Sequence, residues 1–310
     1  MVRKSGGAGE RGSEDAPDLV PRPVAPPGPR RAPPAATSAL PLSRSSPPPH
    51  PAPPAPLARA LHQHDLTDAA AARLVQLAQV KAGERVVEPG SGSGVLTAAL
   101  LAAGARVWAV ELDPRRCDLL RERCADAVAD ERLRIVLGDA VREPVDPGGP
   151  WRVVGNPPFN TTAELLRRWL LEDHPAGPPA AIDLLLQRQA AEKCCQSRWG
   201  GHTRTSVLLH LWGGARTGAG FPRDATTPPS HVPLVAFHAQ RVRTAPGPDR
   251  LRAVDRLLEV AFAGPHTVRD ALRGVIPGKV LGRLAPGLGF DPAAHPRTVP
   301  PTAWLELARG

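Results

Sequence analysis

No stretch of the 310 residues approaches the ~18 consecutive apolar side chains that a membrane-spanning helix needs, so such a span is excluded. The opening MVRKSGGAGERGSED also lacks the apolar core of a secretory signal. Cysteine is scarce: Cys117, Cys124, Cys194 and Cys195 form neither paired C-x-x-C units nor a Cys/His zinc spacing. That pattern argues against a disulfide framework and a structural zinc, and a reducing cytoplasm fits it best. His62 and His64 form an H-x-H pair that no carboxylate or cysteine cluster joins, so no metal site is expected. Tyrosine is missing and lysine occurs four times against 35 arginines; with abundant Ala, Gly and Pro, that bias resembles the codon bias of a GC-rich bacterial gene.

What is present is unevenly spread. Residues 1–58 hold 16 of the 39 prolines, with Ser, Ala and Gly between them. Such a stretch buries too little apolar surface to offset its chain entropy and reads as a disordered tail. The net charge of +9 divides into +3 over residues 1–58, −1 over 59–155 and +7 over 156–310. A neutral first half beside a basic second half points to small-molecule chemistry in one and polyanion binding in the other. A solvated arginine-rich surface is the plainer alternative.

Thr67 is a candidate N-cap for AAAARLVQLAQV, whose Leu74, Leu77 and Val80 share one helical face. RVVEPGSGSG follows as a strand entering a glycine loop, VLTAALLAAG as a helix closed by Gly104, and ARVWAVELD as a buried strand. Asp113 caps and Pro114 opens the helix PRRCDLLRERCADAV. LRIVLGDA and WRVVGNPPF are the third and fourth strands; AIDLLLQ and VPLVAFHAQRV are later ones. RQAAEKCCQS reads as a helix and TSVLLHLWG as a helix or a strand. Strands and helices alternating over short connections predict an α/β fold, a parallel, doubly wound Rossmann-like sheet with helices on both faces. From about residue 246, short helices broken by Gly and Pro predict a small C-terminal helical domain. The expected divisions are a tail over 1–58, a catalytic domain over 59–243 and a helical domain over 244–310.

Glu88-Pro-Gly90-Ser-Gly92-Ser-Gly94 sits where a strand turns into a helix. Glycines let the backbone approach a ligand, and the helix start offers free N–H groups. A dinucleotide loop would read G-x-G-x-x-G, but the sixth position is Val95. S-adenosylmethionine (SAM) carries an ammonium and a sulfonium and no phosphate, so the nearby acid of Glu88 favours SAM over NAD. Glu111, at the tip of the second strand, can accept two ribose hydroxyls in charge-assisted bonds, a feature both cofactors share. Asp139, ending the third strand, can accept from an adenine amino group. Asn156-Pro157-Pro158-Phe159 follows the fourth. An exocyclic amine is a poor nucleophile because its lone pair is delocalised into the ring. The Asn156 side-chain oxygen and the Pro157 carbonyl can accept its two N–H bonds and turn the lone pair toward a methyl group. The prolines stiffen the loop, and Phe159 can stack on an extruded base.

From about residue 60 to 310 the chain resembles the KsgA/Erm family of SAM-dependent rRNA adenine N6-methyltransferases. LHQHDLTD resembles the family's N-terminal cofactor motif, with Asp65 where the family has Phe; VVEPGSGSGVLT resembles its glycine loop, AVELDP its ribose strand, LGDA its adenine strand and VVGNPPFN its target-base motif. The resemblance implies that His64 and Leu66 line the methionine end of SAM, Gly90 and Gly92 the loop, Glu111 the ribose and Asp139 the adenine. Asn156, Pro157 and Phe159 would then form the reaction centre, and residues 244–310 would bind RNA. Within the family, Asn-Pro-Pro-Phe is more like actinomycete Erm enzymes, whose 23S rRNA methylation confers macrolide, lincosamide and streptogramin B resistance. KsgA members act on 16S rRNA and more often carry Asn-Leu-Pro-Tyr. The expectation is therefore a monomeric Erm-type enzyme acting on 23S rRNA, with a KsgA-like enzyme as the alternative. A DNA adenine methyltransferase is a second alternative, disfavoured by the helical tail, and an RNA-binding assembly factor is a third. The four cysteines and Trp108, Trp151 and Trp169 are expected to be core or loop anchors.

Overall fold

The computed structural model describes residues 64–158, 160–195, 201–264 and 266–309. The expected tail, His62 and Phe159 lie outside the described residues. A two-residue strand, β1 (Asp65–Leu66), and helix α1 (Asp68–Ala78) come first. Then follow β2 (Arg85–Pro89), α2 (Val95–Ala102), β3 (Arg106–Glu111), α3 (Pro114–Arg123), α4 (Ala125–Ala129) and β4 (Leu133–Leu137). β5 (Trp151–Gly155), α5 (Thr162–Leu171), β6 (Ala181–Gln187), α6 (Arg188–Cys195) and α7 (Arg204–Trp212) continue the chain. It ends with β7 (Ala215–Phe221), β8 (Thr226–Thr227), β9 (Leu234–Gln240), α8 (Pro248–Ala261), α9 (Val268–Ala271), α10 (Gly278–Leu284) and α11 (Pro301–Leu307). Among the described residues no helix is long and apolar enough to cross a membrane.

Local chemistry sets the element ends. The Thr67 hydroxyl accepts from the Ala70 N–H, and Asp113 Oδ1 accepts from the Arg115 N–H at 2.9 Å with Pro114 in the first turn. Gly104 leaves α2 at φ +83°, a conformation that favours glycine. The strands form one seven-stranded sheet in the order β4-β3-β2-β5-β6-β9-β7. Their side chains alternate between two apolar clusters. Val87, Val153, Ile182, Leu184 and Phe237 join one with α5, α7 and α8, and Val86, Val107, Val154, Leu185 and Ala236 join the other with α1 and α2. Helices therefore cover both faces of a Rossmann-like sheet.

The sheet is mixed, which corrects the expectation of a parallel one. β2 to β6 run parallel, but β9 pairs antiparallel with β6 and β7 antiparallel with β9. β7, with the sequence ARTGAGF, is an exposed glycine-bearing edge strand and shows no apolar alternation to read. Antiparallel neighbours need no crossover helix, and none separates β7 from β9. TSVLLHLWG resolves as a helix. Thr203 and Ser206 cap it reciprocally, and Thr205 to Leu209 are all buried, which erases the one-sided period. Past residue 244, Leu251 and Val254 of α8 and Trp304 of α11 belong to the same apolar cluster as Ile182 and Phe237.

Candidate active site

The chain moves outward from β2 to β3 and β4, then returns to β5 on the other side of β2. Loops leaving the carboxyl ends of β2 and β5 diverge at that switch point, where open α/β sheets form their clefts. A cleft lies there, lined by residues from β1 and from the ends of β2, β3, β4 and β5.

Gly90, Gly92 and Gly94 have φ of +69°, +57° and +80°. At Gly92 and Gly94 the open side is already used. A Cβ on Gly92 would sit 2.6 Å from Asp65 Oδ1 and 2.8 Å from Arg116 Nη1, and one on Gly94 would strike Leu120. Packing as well as ligand access demands glycine at both positions.

Glu88 lines the cleft but is fully buried, and the Thr97 hydroxyl donates to its Oε2 at 2.5 Å. Burial pushes its pKa up to about 8, the Thr97 bond opposes this, and the nearby Glu111 charge adds to the rise. It is therefore mostly neutral at pH 7. Glu111 accepts the Gly92 N–H at 2.7 Å on Oε2 and the Leu112 and Asp113 N–H groups at 2.9 and 3.0 Å on Oε1. Oε2 thus accepts one backbone bond and Oε1 two, which holds the carboxylate rigidly at the cleft. Asp139 Oδ1 accepts from the Val141 N–H at 2.9 Å, and Oδ2 lies 3.8 Å from Arg142 Nε.

Asn156 Nδ2 donates to the His64 carbonyl at 2.7 Å. A carbonyl can only accept, so the amide orientation is fixed and Oδ1 is turned away from it. That Oδ1 is buried without a hydrogen-bond partner among the described residues. His64 Nδ1 is 2.8 Å from the Pro228 carbonyl, β1 pairs antiparallel with β8, and the buried Leu66 lines the cleft with His64 and Pro157. The structure thus brings together His64, Leu66, Glu88, Gly90, Gly92, Glu111, Asp139, Asn156 and Pro157 at one cleft.

Three contributors went unread in the sequence. Thr97 holds Glu88. Arg116 bonds Asp65 at 3.0 Å, across 51 positions. Arg168, buried in α5, donates to the carbonyls of Ala140 and Glu143 at 2.6 and 2.5 Å and so fixes the loop that begins at Asp139. Only a basic residue on an otherwise apolar helix face signals Arg168. Of the thiols, Cys117, Cys124 and Cys194 are buried and Cys195 half-buried; burial pushes them up, Cys194 to about 12 and Cys117 and Cys195 to about 11. Trp151 and Trp169 are buried, and the Trp151 indole N–H donates to Gly177 at 2.8 Å.

A Rossmann-like sheet with a glycine loop and an Asn-Pro-Pro turn at its switch point defines a methyltransferase of that fold class. The chain belongs to the ribosomal RNA adenine dimethylase family, whose family model matches residues 59–263. It is 36% identical over 259 residues to ribosomal RNA small subunit methyltransferase A of Phenylobacterium zucineum, covering 81% of this chain and 86% of that one. It is 35% identical over 257 residues to the protein of the same name from Caulobacter vibrioides, covering 80% and 94%. Its fold is similar to that of the 23S rRNA methyltransferase ErmE, at TM-score 0.61 and 22% identity over 79% of this chain and 98% of that one. A dimethyladenosine transferase from Plasmodium falciparum is similar at TM-score 0.58 and 18% identity over 79% and 96%. The relatives similar in sequence are named for the small subunit, so the expectation of an Erm-type, macrolide-resistance enzyme draws no support from them. The physical reason is local. The Asn-Pro-Pro-Phe loop would meet the extruded base, adenine is the same base in either rRNA, and the loop is a poor reporter of which RNA is bound.

Proposed function

We propose that this protein transfers methyl groups from SAM to N6 of adenine in the 16S rRNA of the small ribosomal subunit. The chemistry is carried by one observation, the buried and unpartnered Oδ1 of Asn156. An acceptor left unsatisfied in a protein interior is costly unless a donor arrives, and an exocyclic amine is such a donor. With the Pro157 carbonyl as the second acceptor, both amine hydrogens are held and the nitrogen lone pair faces the cleft. SAM, when bound, supplies an electrophilic methyl on a sulfonium. The chain's task is orientation rather than strong base catalysis, and the amine proton leaves to water afterwards.

The residues fit that cofactor. Glu111, held rigidly at the cleft, suits a ribose hydroxyl, and Asp139 Oδ2 suits an adenine amino group. His64 and Leu66 close the methionine end, with Gly90 and Gly92 beneath it. Phe159 is assigned to base stacking from its place in the motif alone. The choice of 16S rRNA rests on similarity to small-subunit relatives over most of both chains. The +7 charge of residues 156–310, with the helices beyond residue 244 as RNA-facing elements, suits a polyanionic partner.

The test is tritium transfer from labelled SAM into unmethylated 16S and 23S rRNA. Label in 16S rRNA is expected, and label confined to 23S rRNA would install the Erm reading instead. In the same assay Asn156→Ala should lower the rate by ~10²–10³, the usual loss for one preorganised polar contact at a reacting centre. Its affinity for SAM should stay within a few-fold; complete loss of SAM binding would move Asn156 into the cofactor pocket.

A further inference from the structure

The charged groups lining the cleft are strongly one-sided. Asp65, Glu88, Glu111 and Asp139 are acids, and Arg116 is the one Arg or Lys among the described lining residues. A ligand carboxylate entering this cleft meets the carboxylates of Asp65, Glu111 and Asp139, Glu88 being mostly neutral, and Arg116 is the guanidinium placed to pair with it. That side chain leaves the first turn of α3, crosses Gly92 and reaches Asp65 Oδ1 at 3.0 Å. Its side chain is 23% exposed and that of Asp65 33% exposed, so both are partly withdrawn from water yet reachable from the cleft. The bridge uses a single atom on each side. Nη1 and Oδ1 are engaged, while the other guanidinium edge and Oδ2 make no hydrogen bond to a described residue. A half-used cation and a half-used anion therefore stand side by side above the glycine backbone.

We propose that Asp65 and Arg116 form a charge clamp that recognises the amino-acid end of the cofactor. The clamp rests on the SAM reading given above and adds to it the residues that select a zwitterion. The free edge of Arg116 takes the α-carboxylate in a charge-assisted pair, and Oδ2 of Asp65 takes the α-ammonium. Gly92 is what lets the pair lie flat over the loop, since any Cβ there would displace both side chains. The device also gives Asp65 a purpose at a position where the resembled family carries an apolar Phe. Glu88 cannot substitute for Asp65 as an anion, because it is buried and bonded to Thr97.

Calorimetry on the full-length protein with two probes tests this. S-adenosylhomocysteine carries the zwitterion, and 5′-methylthioadenosine keeps the nucleoside and sulfur but lacks it. Wild type should bind S-adenosylhomocysteine at least tenfold more tightly. Arg116→Gln should weaken S-adenosylhomocysteine about tenfold or more while methylthioadenosine stays within about twofold. Asp65→Asn keeps its side-chain shape and should produce the same split from the other side, which covers the case of one variant failing to fold. Equal weakening of both probes would make the bridge a structural strap and overturn the clamp. Wild type binding both probes equally would also overturn it and leave the cofactor reading standing. Wild type binding neither would bring down the cofactor reading and the clamp together.

Discussion

Glu88 carries a consequence for pH that its position near the end of β2 alone would not suggest. Burial lifts its pKa from 4.5 to about 8, so between those values the folded protein keeps a proton that the unfolded chain releases. The stability linked to this group is fully present below pH ~4.5 and is lost as pH rises through about 8. A tenfold difference in proton affinity between folded and unfolded chains is worth ~1.4 kcal/mol, so the swing is on the order of a few kcal/mol. Glu88→Gln keeps the shape and removes the titration. Its melting temperature should vary less than wild type's between pH 5 and 8.5, and parallel profiles for the two proteins would exclude Glu88 as the group responsible. At this scale the sequence made the residue types at the cleft legible, Glu88, Glu111, Asp139 and Asn156 in their order along the chain. It did not reveal how much of each was already committed. Glu111 has three backbone donors and Asp65 a partner 51 positions away, and such commitments arise only when loops meet.

Three helices are tied together by Asp255 of α8. Its carboxylate accepts from Arg204 of α7 in a two-point contact, at 3.0 and 2.8 Å, and from Arg167 of α5 at 2.6 Å. Asp255 is itself buried, while the arginines are partly exposed, so water screens part of the interaction. Asp255→Ala would leave Arg167 without its anion and Arg204 with Glu259 alone, and should cost about 2 kcal/mol or more in denaturant unfolding. Asp255→Asn should lose less, because it still accepts one bond. A change below about 0.5 kcal/mol for the alanine variant would mean that apolar packing alone holds α5, α7 and α8 together. The helices bounded by clear caps, at Thr67 and Asp113, were readable in advance because their signals are local. α7 was ambiguous because it is buried almost all round, and β7 was invisible because its glycines and exposed face supply no alternation. Strand direction left no trace in the period either, so the antiparallel end of the sheet emerged only from the pairing.

Over the whole molecule, the family match begins at residue 59, where the proline-rich composition stops. Removing residues 1–58 takes away only +3 of the net charge. The truncated protein should melt at the same temperature and lose less than about tenfold in methyl transfer, with any deficit fading at low salt. A larger loss that persists at low salt would give the tail a direct part in RNA capture. The amide of Asn156 has a different dependence on the rest of the chain. Its Nδ2 is held by the carbonyl of His64, 92 positions earlier, and the His64 ring is held by Pro228, 164 positions after it. β1 pairs with β8, which lies just ahead of that proline. During synthesis, a ribosome therefore delivers the glycine loop and the Asn-Pro-Pro turn well before the segment that holds His64 and β1. A product ending before residue 226 would carry every residue assigned to the methyl-transfer chemistry but lack the β8 and Pro228 contacts that hold the segment whose carbonyl orients the Asn156 amide.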